Sequence, residues 1–154
     1  MDPFTELKQQ VADYLGERLE QIQVATEYPA VWGRLPCKQP RVAVGIDRLE
    51  LPNGDGQAQI TLRFDILCPV GYPGGCQTIF EQLCTALLRA RGQFGVCAVG
   101  CGEVEYRREW DMLLLCAKTT LHGMIGWSED DSGVPLTQVL LKQKRSVEDE
   151  QIAK

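Results

Sequence analysis

Seven cysteines and one histidine are the residues whose types suit covalent or metal chemistry. A thiol enzyme sets a cysteine thiolate beside an imidazole, and the two need to meet only in space. Any of the seven cysteines satisfies that condition with His122, so the pattern carries almost no information. Structural zinc asks for more, usually thiols in C-x-x-C pairs or thiols clustered with imidazoles. Cys97 and Cys101 stand in a C-x-x-x-C spacing, Cys68 and Cys76 lie eight apart, and there is one imidazole. No catalytic residue, metal or cofactor is assigned from these residues.

Two other patterns look like chemistry and read better as structure. Gly71-Tyr72-Pro73-Gly74-Gly75 precedes a predicted helix, and a helix N-terminus is friendly to anions. The loop lacks the lysine and the serine or threonine of a Walker A motif, and its glycines lack dinucleotide-fold spacing. It reads as a turn and a helix entry. Glu103, Glu105, Glu109 and Asp111 offer pairs of carboxylates, yet alternating acids are also what a solvated strand face carries. Cys84, Cys97 and Cys116 sit within apolar pattern and read as small hydrophobes in a reducing cytoplasm. His122 shares strand parity with Lys118 and Thr120, so a partly exposed strand histidine is expected. The run Arg107-Arg108-Glu109-Trp110-Asp111 places a tryptophan among charges at a predicted hairpin tip. Trp and Arg are enriched in protein interfaces, which makes Arg107, Arg108 and Trp110 the interface candidates. The other reading, a tryptophan folded back onto its own sheet, stays open.

Composition sets the frame for these residues. A chain of 154 residues, 44% apolar and 24% charged, is long enough for one domain with a sizeable core. A net charge of −5 argues against a broad basic face, so no sequence-specific nucleic-acid binding is expected. No apolar run approaches the ~20 residues of a membrane helix, so no membrane partner is expected. Met1-Asp2-Pro3-Phe4 has neither the basic nor the apolar region of a secretory signal.

The elements that must position the candidates follow from periodicity. Ala58, Ile60, Leu62, Phe64 and Ile66 alternate against Gln57, Gln59, Thr61, Arg63 and Asp65, as a strand with one buried face does. Val42, Val44 and Ile46 alternate likewise, then slip phase to Leu49 and Leu51. That predicts a β-bulge near Asp47–Arg48 within a hairpin spanning 41–68. Pro52-Asn53-Gly54-Asp55-Gly56 supplies its turn. Before it, Asp2 as N-cap and Pro3 at N1 open a helix with an apolar stripe from Leu7 to Ile22, fading by Val24 to Glu27. Tyr28 to Pro40 is an aperiodic connection.

A second helix is predicted over 76–91, with Gly92 as its C-cap. Extended stretches over 94–107 and 112–127 form a second hairpin around the turn at Arg107–Asp111. After Ser128 the composition turns acidic and polar, and Val134 to Leu141 suits a short strand or helix. The expected organisation is a core over 1–127 and an extension over 128–154, partly disordered or ordered on assembly. The order α-β-β-α-β-β predicts an α+β fold: a mostly antiparallel four-stranded sheet with two helices on one face.

With those lengths the chain resembles the tail terminator (tail-completion) proteins of tailed bacteriophages and prophages. The resemblance lies in the N-terminal helix over 6–24, the prolyl connection into the hairpin over 41–68, and the helix entered from Pro73-Gly74-Gly75. It extends to the turn Tyr106-x-x-x-Trp110-Asp111 leading into a long strand that ends near Gly126. It is one of layout and covers roughly 1–127. It implies a non-enzymatic virion protein, assembled in the host bacterial cytoplasm, that forms a homo-oligomeric ring, typically a hexamer. Its partners would be other copies of itself, the tail tube and the head connector. The competing readings are a related head–tail connector or minor virion protein, a host module binding a peptide or small ligand, and a thiol enzyme.

Overall fold

Asp2 begins the first helix, and its side chain accepts from the Phe4 backbone N–H at 3.2 Å. Pro3 follows at N1, where its missing N–H is no loss. Helix α1 spans Pro3–Arg18 and buries Leu7, Val11, Ala12 and Leu15, one face of its turns. The computed structural model describes residues 2–26, 35–51, 56–127 and 136–141, and gives backbone alone for 124–127 and 136–141. The connection over 27–34 and the first four residues of the hairpin turn, 52–55, lie outside the described residues, as do 128–135 and 142–154.

The helix does not reach Val24. Leu19 turns extended and Gln21 takes a left-handed φ of 60°. Gln23–Ala25 then forms strand β1, which pairs parallel with Arg41–Ala43 of β2 (Arg41–Glu50). Strand β2 runs antiparallel to β3 (Gln57–Pro69), and their register shifts between Ile46 and Arg48. The phase slip in the sequence is therefore a bulge at Asp47.

Gly74 leads into helix α2 (Gly75–Arg89) with a φ of 81°, where a Cβ would collide with the side chain of Thr78. The second helix was expected to continue to Arg91 and cap on Gly92. It stops at Arg89, and a further turn, α3 (Arg91–Phe94), follows before Gly95 closes it at a φ of 69°. That extra turn buries Phe94 edge-on against Tyr14, with ring centroids 5.5 Å apart. The Tyr14 hydroxyl in turn donates to the Ala86 carbonyl at 2.8 Å, tying α1 to α2.

The remaining strands are β4 (Val96–Cys101), β5 (Glu105–Arg107), β6 (Met112–Trp127) and β7 (Leu136–Leu141). Strand β6 is the axis of the sheet. One of its edges pairs with β3 from Met112 to Met124. The other pairs in succession with β5, β4 and β7, all antiparallel. The strand order is β1-β2-β3-β6-β4, with β5 and β7 also on β6.

The α+β class is as expected, but the four-stranded, mostly antiparallel sheet with two helices is corrected. Among the described residues there are seven strands in a mixed sheet, with one parallel pair, and three helices. Three physical causes account for the difference. The end of α1 unwinds into a strand, the glycine-rich stretch around Gly102 splits one expected strand into β4 and β5, and β7 pairs with Gly123–Trp127 at the end of β6. Of the region after Ser128, the described piece is thus part of the sheet.

Both long helices cover the face carrying Ala58, Ile60, Leu62, Phe64 and Ile66 of β3. Leu115, Ala117 and Leu121 of β6 lie beside these residues in register. Each fully buried leucine, isoleucine or phenylalanine among them contributes about 1.5–3 kcal/mol by leaving water.

Candidate functional site

Three places could carry function: the tip of the β5–β6 hairpin, the face of the sheet away from the helices, and its outer edges. The tip is held by its own side chains. The Tyr106 hydroxyl donates to Asp111 at 2.8 Å, and this hydrogen bond raises the pKa of its phenol. Arg107 donates to Glu109 at 2.8 Å through Nε and meets it again at 2.7 Å through a terminal nitrogen. Glu109 is held below the usual carboxylate range, first by its own backbone N–H and then by Arg107. The Arg107 guanidinium also lies 4.9 Å from the centre of the Trp110 ring. The structure thus brings Arg107 and Trp110 together, with Trp110 half-buried and Arg108 exposed beside them. Such an arrangement presents a rigid, partly desolvated indole at a loop tip, held in place by a cation–π contact.

On the face away from the helices, Arg63 and Lys118 are direct cross-strand neighbours, flanked in the same row by Gly45 and Gly100. Two like charges so placed repel. Each has an acid partner: Arg63 meets Asp65 at 2.9 Å, and Lys118 meets Asp47 at 3.2 Å. The bulge moves Asp47 out of the ladder register next to this row. Asp65 is only 3% exposed, and Leu67 and Met112 on the same face are fully buried. His122 stands half-buried on this face, with its Nε2 3.5 Å from Gln59 Nε2. Its expected company with Lys118 and Thr120 is what the register shows.

Burial pushes the Cys76 thiol up to about 12 and raises Cys68, Cys84 and Cys116 as well. A thiol raised in this way holds little thiolate at neutral pH and is a poor nucleophile. Cys116 and His122 share a strand six residues apart, roughly 20 Å by strand rise, so they do not form a pair. The Cys97 thiol donates to the Thr120 carbonyl at 3.3 Å. Among the described residues no group of three or more His, Cys, Asp or Glu side chains is placed to hold a metal. Nor is any of the described helices long and apolar enough to cross a membrane.

The outer edges are what sequence reasoning missed. Strand β1 covers β2 only from Arg41 to Ala43, so Ile46–Glu50 has β3 as its one strand partner among the described residues. Strand β4 ends the sheet on the other side. The signal available in the sequence was the lack of any charged residue from Val96 to Gly102. Alternation shows which face a strand buries but not which strand lies beside it.

The chain matches no protein-family model, and no curated protein is significantly similar to it in sequence.

Proposed function

We propose that this chain is a non-enzymatic structural protein of tailed bacteriophages or prophages, of the tail-terminator type. Copies of it close into a ring, typically of six, that caps the tail tube and joins it to the head. The observation that supports this reading is the element order: α1, the β2–β3 hairpin, α2, then β4 and β5 leading by a tight turn into β6. That order is the layout on which the resemblance rests. Each copy has two sheet edges, and a ring needs two different surfaces on each subunit.

The test is capping. Purified protein is added to a polymerising tail-tube protein, and tube lengths are measured by electron microscopy. Tubes that stop short, each with a ring at one end, support the reading. An unchanged length distribution overturns it. An edge with no second strand partner among the described residues, such as Ile46–Glu50 beyond β1, would also serve a module that binds an extended peptide by strand addition. A chain that stays monomeric at high concentration and leaves tube length unchanged favours that reading instead.

A further inference from the structure

Cys68 and Cys76 stand eight residues apart in sequence and meet in the core. Strand β3 ends at Pro69, and two backbone turns carry the chain back. The Tyr72 N–H donates to the Pro69 carbonyl at 3.1 Å, and the Gly75 N–H donates to the Tyr72 carbonyl at 2.9 Å. Helix α2 therefore starts over the end of the strand the chain has just left. The Cys76 sulfur lies 3.9 Å from the Ile66 carbonyl oxygen, and the Cys68 sulfur lies 3.5 Å from that of Pro69. The two thiols also hydrogen-bond to each other. Cys68 is 0% exposed and Cys76 is 1% exposed.

A third thiol stands on the approach to this pair. Arg41 pairs with Leu67, so the chain entering β2 passes the end of β3. Cys37 lies on that approach, half-buried, and its thiol donates to the Gln39 carbonyl at 3.2 Å. Charge on Cys37 acts on Cys68, so the two are within electrostatic reach of each other. Cys37 thus reaches solvent, while Cys68 has Cys37 on one side and Cys76 on the other.

The inner two thiols are unlike each other. Burial raises both, and the hydrogen bond between them then lowers Cys68 and raises Cys76 further. Of the two, Cys68 yields its proton first. Neither presents surface to a dissolved disulfide, so exchange with one has to begin at Cys37. The inner sulfurs must close from hydrogen-bond contact to a bond of ~2.05 Å. The surface loop between them, with Gly71 and Gly74 exposed, takes up that movement.

We propose that Cys68 and Cys76 are a redox-sensitive dithiol, closed into a disulfide by exchange that enters through Cys37, and that this bond locks the start of α2 onto the end of β3. The Cys37 thiolate attacks a low-molecular-weight disulfide, forms a mixed disulfide and releases one thiol of that reagent. The Cys68 thiolate attacks the Cys37 sulfur, forms a Cys37–Cys68 bond and releases the second thiol. The Cys76 thiolate then attacks the Cys68 sulfur, which breaks the Cys37–Cys68 bond and returns Cys37 to its thiol. Two protein thiols are oxidised, one external disulfide is reduced to two thiols, and the two protein protons end on those thiols. The lock lies within one chain, so it holds whether or not copies form a ring.

The test uses the full chain, reduced, freed of reductant and incubated with oxidised glutathione in mildly alkaline buffer. Samples are quenched with an alkylating agent, free thiols are counted, and peptide mapping without reduction locates each bond. The wild type should lose two thiols, carry a Cys68–Cys76 linkage and keep Cys37 free. Closing so short a loop should raise its melting temperature by roughly 5 °C, and dithiothreitol should reverse the rise. Cys37→Ser, at a half-buried position, should reach the same linkage about tenfold more slowly. Cys76→Ala should stop at the Cys37–Cys68 bond. Circular dichroism checks the fold of each variant, and the wild type and Cys37→Ser decide the matter if Cys76→Ala unfolds. All seven thiols retained, or a different linkage as the main product, overturns the inference. So does an oxidised protein that melts no higher than the reduced one, or Cys37→Ser oxidising as fast as the wild type.

Discussion

Removing the guanidinium of Arg63 should cost more than removing both members of its ion pair. Arg63 Nε lies 2.9 Å from Asp65, whose side chain is 4% exposed while that of Arg63 is 40% exposed. At that distance the gross attraction is about 1.4 kcal/mol in bulk water and about 6 kcal/mol at an effective dielectric near 20. Desolvation of the carboxylate cancels much of the larger figure, and the half-open arginine is screened. Breaking a fully buried pair costs about 3–5 kcal/mol because a charge is left uncompensated. For this half-open pair, Arg63→Met should cost about 2–3 kcal/mol, below that range. Loss of the cross-strand repulsion from Lys118 returns a few tenths of a kcal/mol at most. The double variant Arg63→Met, Asp65→Leu removes the stranded charge and should recover at least half of the loss. Urea unfolding at neutral pH of the wild type, both single variants and the double variant measures the coupling. Additive losses, with no recovery in the double variant, would refute the argument that Asp65 depends on Arg63.

Three other perturbations follow from the geometry. Gly74→Ala should destabilise by about 1–3 kcal/mol in thermal unfolding, because a φ of 81° strains an L-residue and Thr78 occupies the space. The Cys76 thiol, raised from 9 to about 12, contributes stability that is full below pH 9 and lost as the pH climbs from 9 through 12. Stability curves over that window should fall less steeply for Cys76→Ala than for the wild type, and an identical slope would contradict the assignment. Trp110→Ala should weaken self-association more than it lowers folding stability. The reverse result, from paired light-scattering and unfolding measurements, places the indole in the fold.

How much of this was legible depended on whether the governing contact was local. The alternation from Ala58 to Ile66 marked the core face of β3, and the phase slip after Ile46 marked the bulge at Asp47. Asp2 and Pro3 marked the start of α1, whose cap is made by near neighbours. The end of α1 was not legible, because Ile22 continues the helical spacing of Leu15 and Leu19 while three residues of β1 are too few to show a period of two. Nothing local says that Gln23 should meet Arg41. The end of α2 was misplaced because Gly92 invited a cap, whereas burial of Phe94 against Tyr14 carried the chain a further turn. At the hairpin tip the cluster of Arg107, Arg108 and Trp110 was visible. The stacking of Arg107 on Trp110 and its hold on Glu109 depend on side-chain geometry that spacing does not report.

The pairing of β6 with β3 has a consequence for the order in which the molecule can be made. Strand β3 is complete at Pro69, but its partner edge runs from Met112 to Met124. Until that segment has emerged from the ribosome, one side of β3 is an unpaired row of amides above an apolar face. Sheets closed by such distant pairings form slowly, since the intervening loop must be ordered before the contact rewards it. Chains that stop before Met112 should therefore be collected as aggregates or chaperone-bound species, whereas chains extending past Met124 can close the sheet. Quality control during synthesis would act on this interval of about forty residues.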